Sequence, residues 1–180
     1  MSEVKFGKTI TLKQAAQLIK SNPTSRFFLR GEPGIGKSSI LETIADSLGY
    51  GYAYIDVPNM DLGDIAMPVI DHDTKTTRYY PNARFGVHEG KPMVIMLDEF
   101  MKAPKLLQVI FTRMMLERTV GDEPLPVSKS GKKSIVFGTS NNASDGVGDT
   151  MMAHAANRVC LVQMRKPNAE EWNTWASNNG

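Results

Sequence analysis

The chain has 180 residues, of which 41% are hydrophobic and 22% charged, and these values are ordinary for one globular domain. A formal net charge of +2 is too small to indicate binding to nucleic acid or to an anionic membrane. The single cysteine, Cys160, excludes an internal disulfide and favours a reducing compartment, and the longest apolar runs are too short to cross a bilayer. We therefore expect a cytoplasmic protein without a membrane partner, in which Cys160 is a small buried side chain.

The first third of the chain alternates between helical and extended patterns. A helix is expected over residues 12–19 with Thr11 as its N-cap, followed by a short buried strand over residues 26–30. A glycine-rich turn comes next, then a helix from about residue 37 to residue 48 and a second strand over residues 52–57. This strand–turn–helix order is typical of α/β proteins.

The rest of the chain continues the alternation after a difficult segment. Residues 58–90 contain three prolines and many polar side chains, and we expect a functional loop or short elements that the pattern does not reveal. The further predicted elements are strands at 93–97, 134–138 and 159–164, helices at 105–116, 149–156 and 170–176, and a protruding hairpin or loop at 119–133. Buried strands that alternate with helices predict a parallel sheet with helices on both faces.

The strongest motif is a phosphate-binding loop at residues 31–38, which fills every fixed position of GxxxxGK[ST]. Its glycines let consecutive backbone N–H groups point at anionic oxygens, and the following helix adds the positive end of its dipole. Lys37 can reach the β- and γ-phosphates of ATP, and the Ser38 hydroxyl can bind Mg²⁺. A glycine-rich turn without a ligand is the alternative, and the flanking strand and helix argue against it. The residues assigned to the nucleotide are Gly31, Glu32, Pro33, Gly34, Ile35, Gly36, Lys37, Ser38 and Ser39.

Polar side chains follow two of the predicted strands. Asp98 and Glu99 end the strand at 93–97, at the edge of the sheet where ligands bind in such folds. Asp98 is expected to order the Mg²⁺ shell and Glu99 to polarise the attacking water, although both acids could simply end a strand in solvent. Asn141 follows the strand at 134–138 and is expected to orient that water or contact the γ-phosphate. Alternatively, Asn141 is only a turn residue.

These motifs resemble the AAA+ ATPases, and specifically their MoxR-like branch. The resemblance covers nearly the whole chain and implies an α/β fold, the P-loop NTPase three-layer sandwich with a central parallel sheet that forms the AAA+ large subdomain. It rests on residues 31–38 as Walker A, residues 93–99 as Walker B, Lys102-Ala103-Pro104 before a helix that ends with Leu116-Glu117-Arg118, and Gly138-Thr139-Ser140-Asn141-Asn142 as sensor 1.

The resemblance also implies a homo-oligomer, a hexameric ring with ATP at the subunit interfaces and an arginine from the neighbouring subunit in each site. Residues 155–159 resemble the segment that carries this arginine finger, which makes Arg158 the candidate. The family often has Asp-Arg-Phe where this chain has Asn157-Arg158-Val159, and a surface arginine is the alternative. Residues 1–168 would be the AAA+ nucleotide-binding core and residues 169–180 the start of a helical lid or linker, cut short before the sensor-2 arginine.

The leading functional hypothesis is an ATPase that couples turnover in a ring to the remodelling of a protein assembly, with a protein client or adaptor. A nucleic-acid motor or loader is an alternative, for which Lys129, Lys132 and Lys133 are the only hint. A P-loop kinase is disfavoured by Glu99 and Asn141, and a nucleotide-gated binding module with little turnover stays open. Tyr79 and Tyr80 are expected to pack inside the protein rather than to contact a partner.

Overall fold

The structure is a computed structural model that describes residues 9–141 and 159–179. Four short 3-10 helices lie at Val57–Asn59, Ala83–Phe85, Val87–Glu89 and Phe100–Lys102. The helices and strands, in chain order, are α1 (Leu12–Ser21), β1 (Phe27–Arg30), α2 (Ser39–Leu48), β2 (Gly51–Asp56), β3 (Ala66–Asp71), β4 (Thr76–Pro81), β5 (Met93–Asp98), α3 (Lys105–Glu117), β6 (Thr119–Val120), β7 (Glu123–Pro124), β8 (Ile135–Ser140), β9 (Cys160–Gln163) and α4 (Ala169–Asn179). The helix predicted over residues 149–156 lies outside the described residues.

Five strands form one sheet in the order β2, β5, β8, β1, β9, and all four neighbouring pairs are parallel. Because the strands are parallel, their carboxyl ends meet at one edge. The register places Asp56 of β2 opposite Asp98 of β5, and Arg30 of β1 opposite Ser140 of β8. The predicted central parallel sheet is therefore confirmed, and the residues that follow β1, β5 and β8 come together at its carboxyl edge.

The two faces of the sheet belong to two separate cores. Along β5, Ile95 and Leu97 pack into the core that contains α3, whereas Val94 and Met96 pack into the core that contains α1 and α2. This alternation follows from the period of two along a strand. Since both faces of β5 are covered, its sequence is a continuous apolar run, which is the pattern of a buried parallel strand.

Short-range interactions determine where the first two helices begin. Thr11 caps α1 with a capping box, because its side chain accepts a hydrogen bond from the Gln14 N–H and the Gln14 side chain accepts one from the Thr11 N–H. Helix α2 begins at Ser39, two residues later than the predicted start at residue 37, because Lys37 and Ser38 still belong to the turn. It ends at Leu48, and Gly49, with a φ of 67°, provides the left-handed C-cap.

A hairpin outside the main sheet lies within residues 58–90, the segment in which the sequence pattern did not reveal individual elements. Strands β3 and β4 pair antiparallel from Ala66 opposite Pro81 to Asp71 opposite Thr76. Most of its side chains are exposed, so it carries no buried face from which a strand pattern could be read. Contrary to the expectation that they pack inside, Tyr79 is 49% and Tyr80 43% exposed.

Cys160 is also placed differently from the prediction. It is exposed at the start of β9, which lies at one end of the described sheet and pairs with β1. An end strand is covered less completely than a central one, so the apolar pattern of residues 159–164 does not guarantee burial. No helix in the described part of the chain is long and apolar enough to cross a membrane.

Candidate nucleotide-binding site

The loop at residues 31–38 connects β1 to α2 at the carboxyl edge of the sheet. Gly34 and Gly36 have φ values of 74° and 87°, which residues with a side chain rarely adopt. A Cβ added at Gly34 would meet no atom within 4 Å, so this part of the loop borders open space. Ile35, by contrast, is 5% exposed and packs into the core with α1 and α2. The loop is therefore anchored by one apolar side chain and borders open space at Gly34.

Lys37 is only 9% exposed, which is rare for a lysine and requires partners for its charge. Its Nζ donates to the carbonyl oxygens of Gly31 at 3.0 Å and Glu32 at 2.9 Å, and to the Asn141 Oδ1 atom at 2.9 Å. Two carbonyls of its own loop thus hold the ammonium group in place. The bond to Asn141 ties the loop to the end of β8.

Asn141 connects the loop to the acidic side of the site. While its Oδ1 accepts from Lys37, its Nδ2 donates to the Glu99 Oε1 atom at 3.2 Å. Lys102 Nζ approaches the same oxygen at 2.8 Å. Glu99 itself has a φ of 48°, and non-glycine residues in this left-handed region cluster at functional sites. Lys37, Asn141 and Glu99 therefore form one chain of hydrogen bonds.

Each oxygen of the Asp98 carboxylate accepts a hydrogen bond from a hydroxyl group. Thr139 of β8 donates to Oδ1, and Tyr54 of β2 donates to Oδ2 at 2.6 Å. This hydrogen bond, together with burial and the negative charges of Asp98, Asp56 and Glu99, raises the pKa of Tyr54 well above its usual value. Tyr54 was not among the sequence-derived candidates, because a tyrosine in a strand gives no signal without the register that places it beside Asp98.

Residues 26–158 match the family model of the AAA domain, dynein-related subfamily, which is more than half of the chain. The chain belongs to this family. The match confirms the resemblance of its motifs to the AAA+ ATPases and the assigned fold class. No curated protein matches the chain in sequence.

Solved structures share the fold of this AAA domain at low sequence identity. A proposed ATPase from Cytophaga hutchinsonii aligns with a TM-score of 0.63 at 17% identity over 92% of this chain and 50% of that one. NtrX from Brucella abortus aligns with a TM-score of 0.55 at 15% identity, over 89% of this chain and 38% of that one. The complex of NtrX with ATP aligns with a TM-score of 0.55 at 16% identity, over 86% of this chain and 34% of that one. The chain thus spans half or less of these proteins.

The remaining candidates of this AAA domain differ in their surroundings. Ser38 is exposed at the N-terminus of α2 and makes no capping bond, and Ser39 donates its hydroxyl to the Gly36 carbonyl at 2.8 Å. Glu32 forms an exposed ion pair with Lys166, so its side chain points away from Lys37 although its carbonyl does not. Pro33 is exposed and Gly31 buried. Arg158 and Asn142 lie outside the described residues.

Proposed function

We propose that this AAA domain binds ATP with Mg²⁺ at the loop 31–38 and hydrolyses it to ADP and phosphate. The observation that carries the proposal is the hydrogen-bonded chain from Lys37 through Asn141 to Glu99. It joins a buried cation in the loop after β1 to the Glu99 carboxylate directly after β5, through Asn141 at the end of β8, the strand between them. A core that only needed to fold would gain little from burying a lysine between two carbonyls and an amide.

The loop fits a triphosphate. The loop borders open space at Gly34, and the N-terminus of α2 follows directly, where backbone N–H groups and the helix dipole favour anions. The carbonyls of Gly31 and Glu32 fix the Lys37 ammonium, and its contact with Asn141 is the one that a γ-phosphate oxygen can replace with a stronger, charge-assisted bond. Binding would then release the Asn141 amide oxygen from Lys37.

Ser38 at the end of this loop and Asp98 at the end of β5 offer oxygen atoms suited to a hard divalent cation. The Ser38 hydroxyl is exposed at the start of α2, and the Asp98 carboxylate ends β5. Ser38 and Asp98 are the residues that would hold Mg²⁺. When bound, the ion neutralises charge on the phosphate oxygens during transfer.

Glu99 and Asn141 are the residues that would handle the attacking water. The Glu99 carboxylate accepts a hydrogen bond from that water and draws its proton as the new P–O bond forms. Asn141 lies within hydrogen-bond distance of Glu99 and can orient the same water through its amide. The positive charge of Lys102 beside Oε1 keeps the carboxylate in a fixed orientation.

We further propose that the domain works in a homo-oligomeric, hexameric ring in the cytoplasm, with Arg158 completing the site of the neighbouring subunit. Residues 1–168 would form the nucleotide-binding core, and residues 169–180 would begin the helical lid or linker. The start of α4 at Ala169 supports this boundary. Family membership supports the ring, because ATPases of this class act as oligomers.

A protein client, as in a MoxR-like chaperone, is the partner that the surface favours. The hairpin β3–β4 exposes Met67 by 56%, Val69 by 49% and Ile70 by 62%, and clusters of exposed apolar side chains are typical of contact surfaces. The lysines that would favour nucleic acid are less well placed. Lys132 and Lys133 lie just before β8 begins, at the edge of the sheet opposite to the loop 31–38.

The test of nucleotide binding is Lys37→Ala, with the exposed loop lysine changed in Lys129→Ala as a control. Equilibrium binding of a fluorescent ATP analogue is expected to fall below detection in Lys37→Ala, because the variant lacks the buried ammonium group of the phosphate-binding loop. Lys129→Ala is expected to keep wild-type affinity. Unchanged affinity in Lys37→Ala would contradict the proposal that the loop 31–38 binds the phosphates.

A further inference from the structure

Tyr54 contacts the site from the strand next to Asp98. Strand β2 lies at one end of the described sheet, and its register places Tyr54 opposite Met96, two residues before Asp98. From there the phenol reaches forward along the strands and donates its O–H to Asp98 Oδ2 at 2.6 Å. A distance this short is typical of a hydroxyl bound to a charged carboxylate.

The Asp98 carboxylate is therefore held from both sides. Tyr54 belongs to the strand on one side of β5 and Thr139 to the strand on the other, and each donates to a different oxygen. An aspartate at a strand end can adopt several staggered rotamers, and two donors on opposite sides select one of them. Each carboxylate oxygen has a second lone pair, so both can still coordinate a metal ion or accept a hydrogen bond from its bound water.

Packing does not account for the hydroxyl of Tyr54. Its side chain is 49% exposed, so the ring contributes only part of its area to the core. Tyr52 lies two residues earlier on the same face of β2 and is equally exposed, at 51%. Among the described residues, no hydrogen bond from Tyr52 to an acidic side chain is observed. The two tyrosines differ in what the hydroxyl reaches, and only Tyr54 reaches Asp98.

We propose that Tyr54 is a positioning residue for the magnesium ion: its phenol O–H holds the Asp98 carboxylate in the orientation that the Mg²⁺ shell needs. This rests on the proposed function, in which Asp98 serves Mg²⁺. Hydrogen-bond partners of metal ligands typically change metal affinity by about 10- to 100-fold when they are removed. Because Asp98 keeps the Thr139 hydroxyl in the absence of the phenol, the effect expected for Tyr54 is at the lower end, about 10-fold.

The experiment compares wild type, Tyr54→Phe and the matched control Tyr52→Phe, each as the whole chain. Binding of a fluorescent ATP analogue is measured in EDTA and then during a titration with MgCl₂, with a thermal melt for each variant. Tyr54→Phe is expected to bind the analogue in EDTA as wild type does, but to need about 10-fold more Mg²⁺ for the half-maximal rise in affinity. Tyr52→Phe is expected to follow wild type in both conditions.

Each other outcome has one meaning. A Tyr54→Phe midpoint equal to that of a Mg²⁺-dependent wild type overturns the role of Tyr54 and leaves the proposed function intact. An equal loss of affinity in EDTA and in Mg²⁺ also overturns it, since it indicates a general structural effect. A wild type that binds the analogue but ignores Mg²⁺ overturns the assignment of Asp98 itself, and with it this inference.

Discussion

Single residues beneath the site determine the positions of its acidic side chains. Thr139 binds Asp98 and is fully buried, and its neighbour Gly138 lies against the ring of Phe28. That ring in turn packs on the ring of Phe100, the residue directly after Glu99, and the two ring centroids are 4.7 Å apart. The positions of Asp98 and Glu99 therefore depend on a core that has no spare room at Gly138.

Gly138→Ala is expected to destabilise the protein, because the added Cβ collides with the Phe28 ring in the middle of the sheet. Overpacking of this kind costs about 1–3 kcal/mol in the free energy of unfolding. Gly63→Ala is the control, since its Cβ would lie 3.3 Å from the Asp61 Oδ1 atom in an exposed loop. Denaturant unfolding measures both. Equal stability of Gly138→Ala and wild type would contradict the packing described for β8.

The elements that could be predicted from the sequence are those with a buried face. Strand β5 and helix α3 were predicted to within one residue at each end, because apolar periodicity and burial coincide there. The hairpin β3–β4 was not, because Pro68 is a residue that argues against a strand and most of the hairpin's side chains face solvent. A strand that pairs locally and buries little leaves no periodic signal in the sequence.

The site itself was only partly predictable. The loop 31–38 follows from a local motif, and residues 98, 99 and 141 follow from their places at strand ends. The bond between Lys37 and Asn141, by contrast, joins residues 104 positions apart and depends on the order of β1 and β8 in the sheet. The contact of Tyr54 with Asp98 depends likewise on the pairing of β2 with β5. The order of the strands in the sheet places these side chains together, and the apolar pattern of the sequence does not reveal that order.

In the proposed ring, subunits are expected to complete each other's sites. Arg158 would stabilise charge on the neighbour's γ-phosphate, and an arginine provided in this way contributes about 10³- to 10⁵-fold to phosphoryl transfer in related systems. Arg158→Ala rings and Lys37→Ala rings are each expected to be inactive, because one lacks every finger and the other every phosphate-binding lysine. Mixed rings are expected to recover ATPase activity, measured as phosphate release after co-assembly is verified. No recovery in rings of proven mixed composition would argue against an arginine in trans.

We propose that Glu99 activates water for ATP hydrolysis, and we test this by phosphate release from ATP by wild type and Glu99→Gln in the assembled protein. The amide cannot draw a proton from water, and loss of a general base typically costs about 10²- to 10⁴-fold in rate. Glu99→Gln is expected to bind ATP and Mg²⁺ like wild type and to release phosphate at least about 100-fold more slowly. Glu117→Gln, which alters an exposed glutamate paired with Arg113 on α3, is expected to keep the wild-type rate. A Glu99→Gln protein that hydrolyses ATP as fast as wild type would contradict the account.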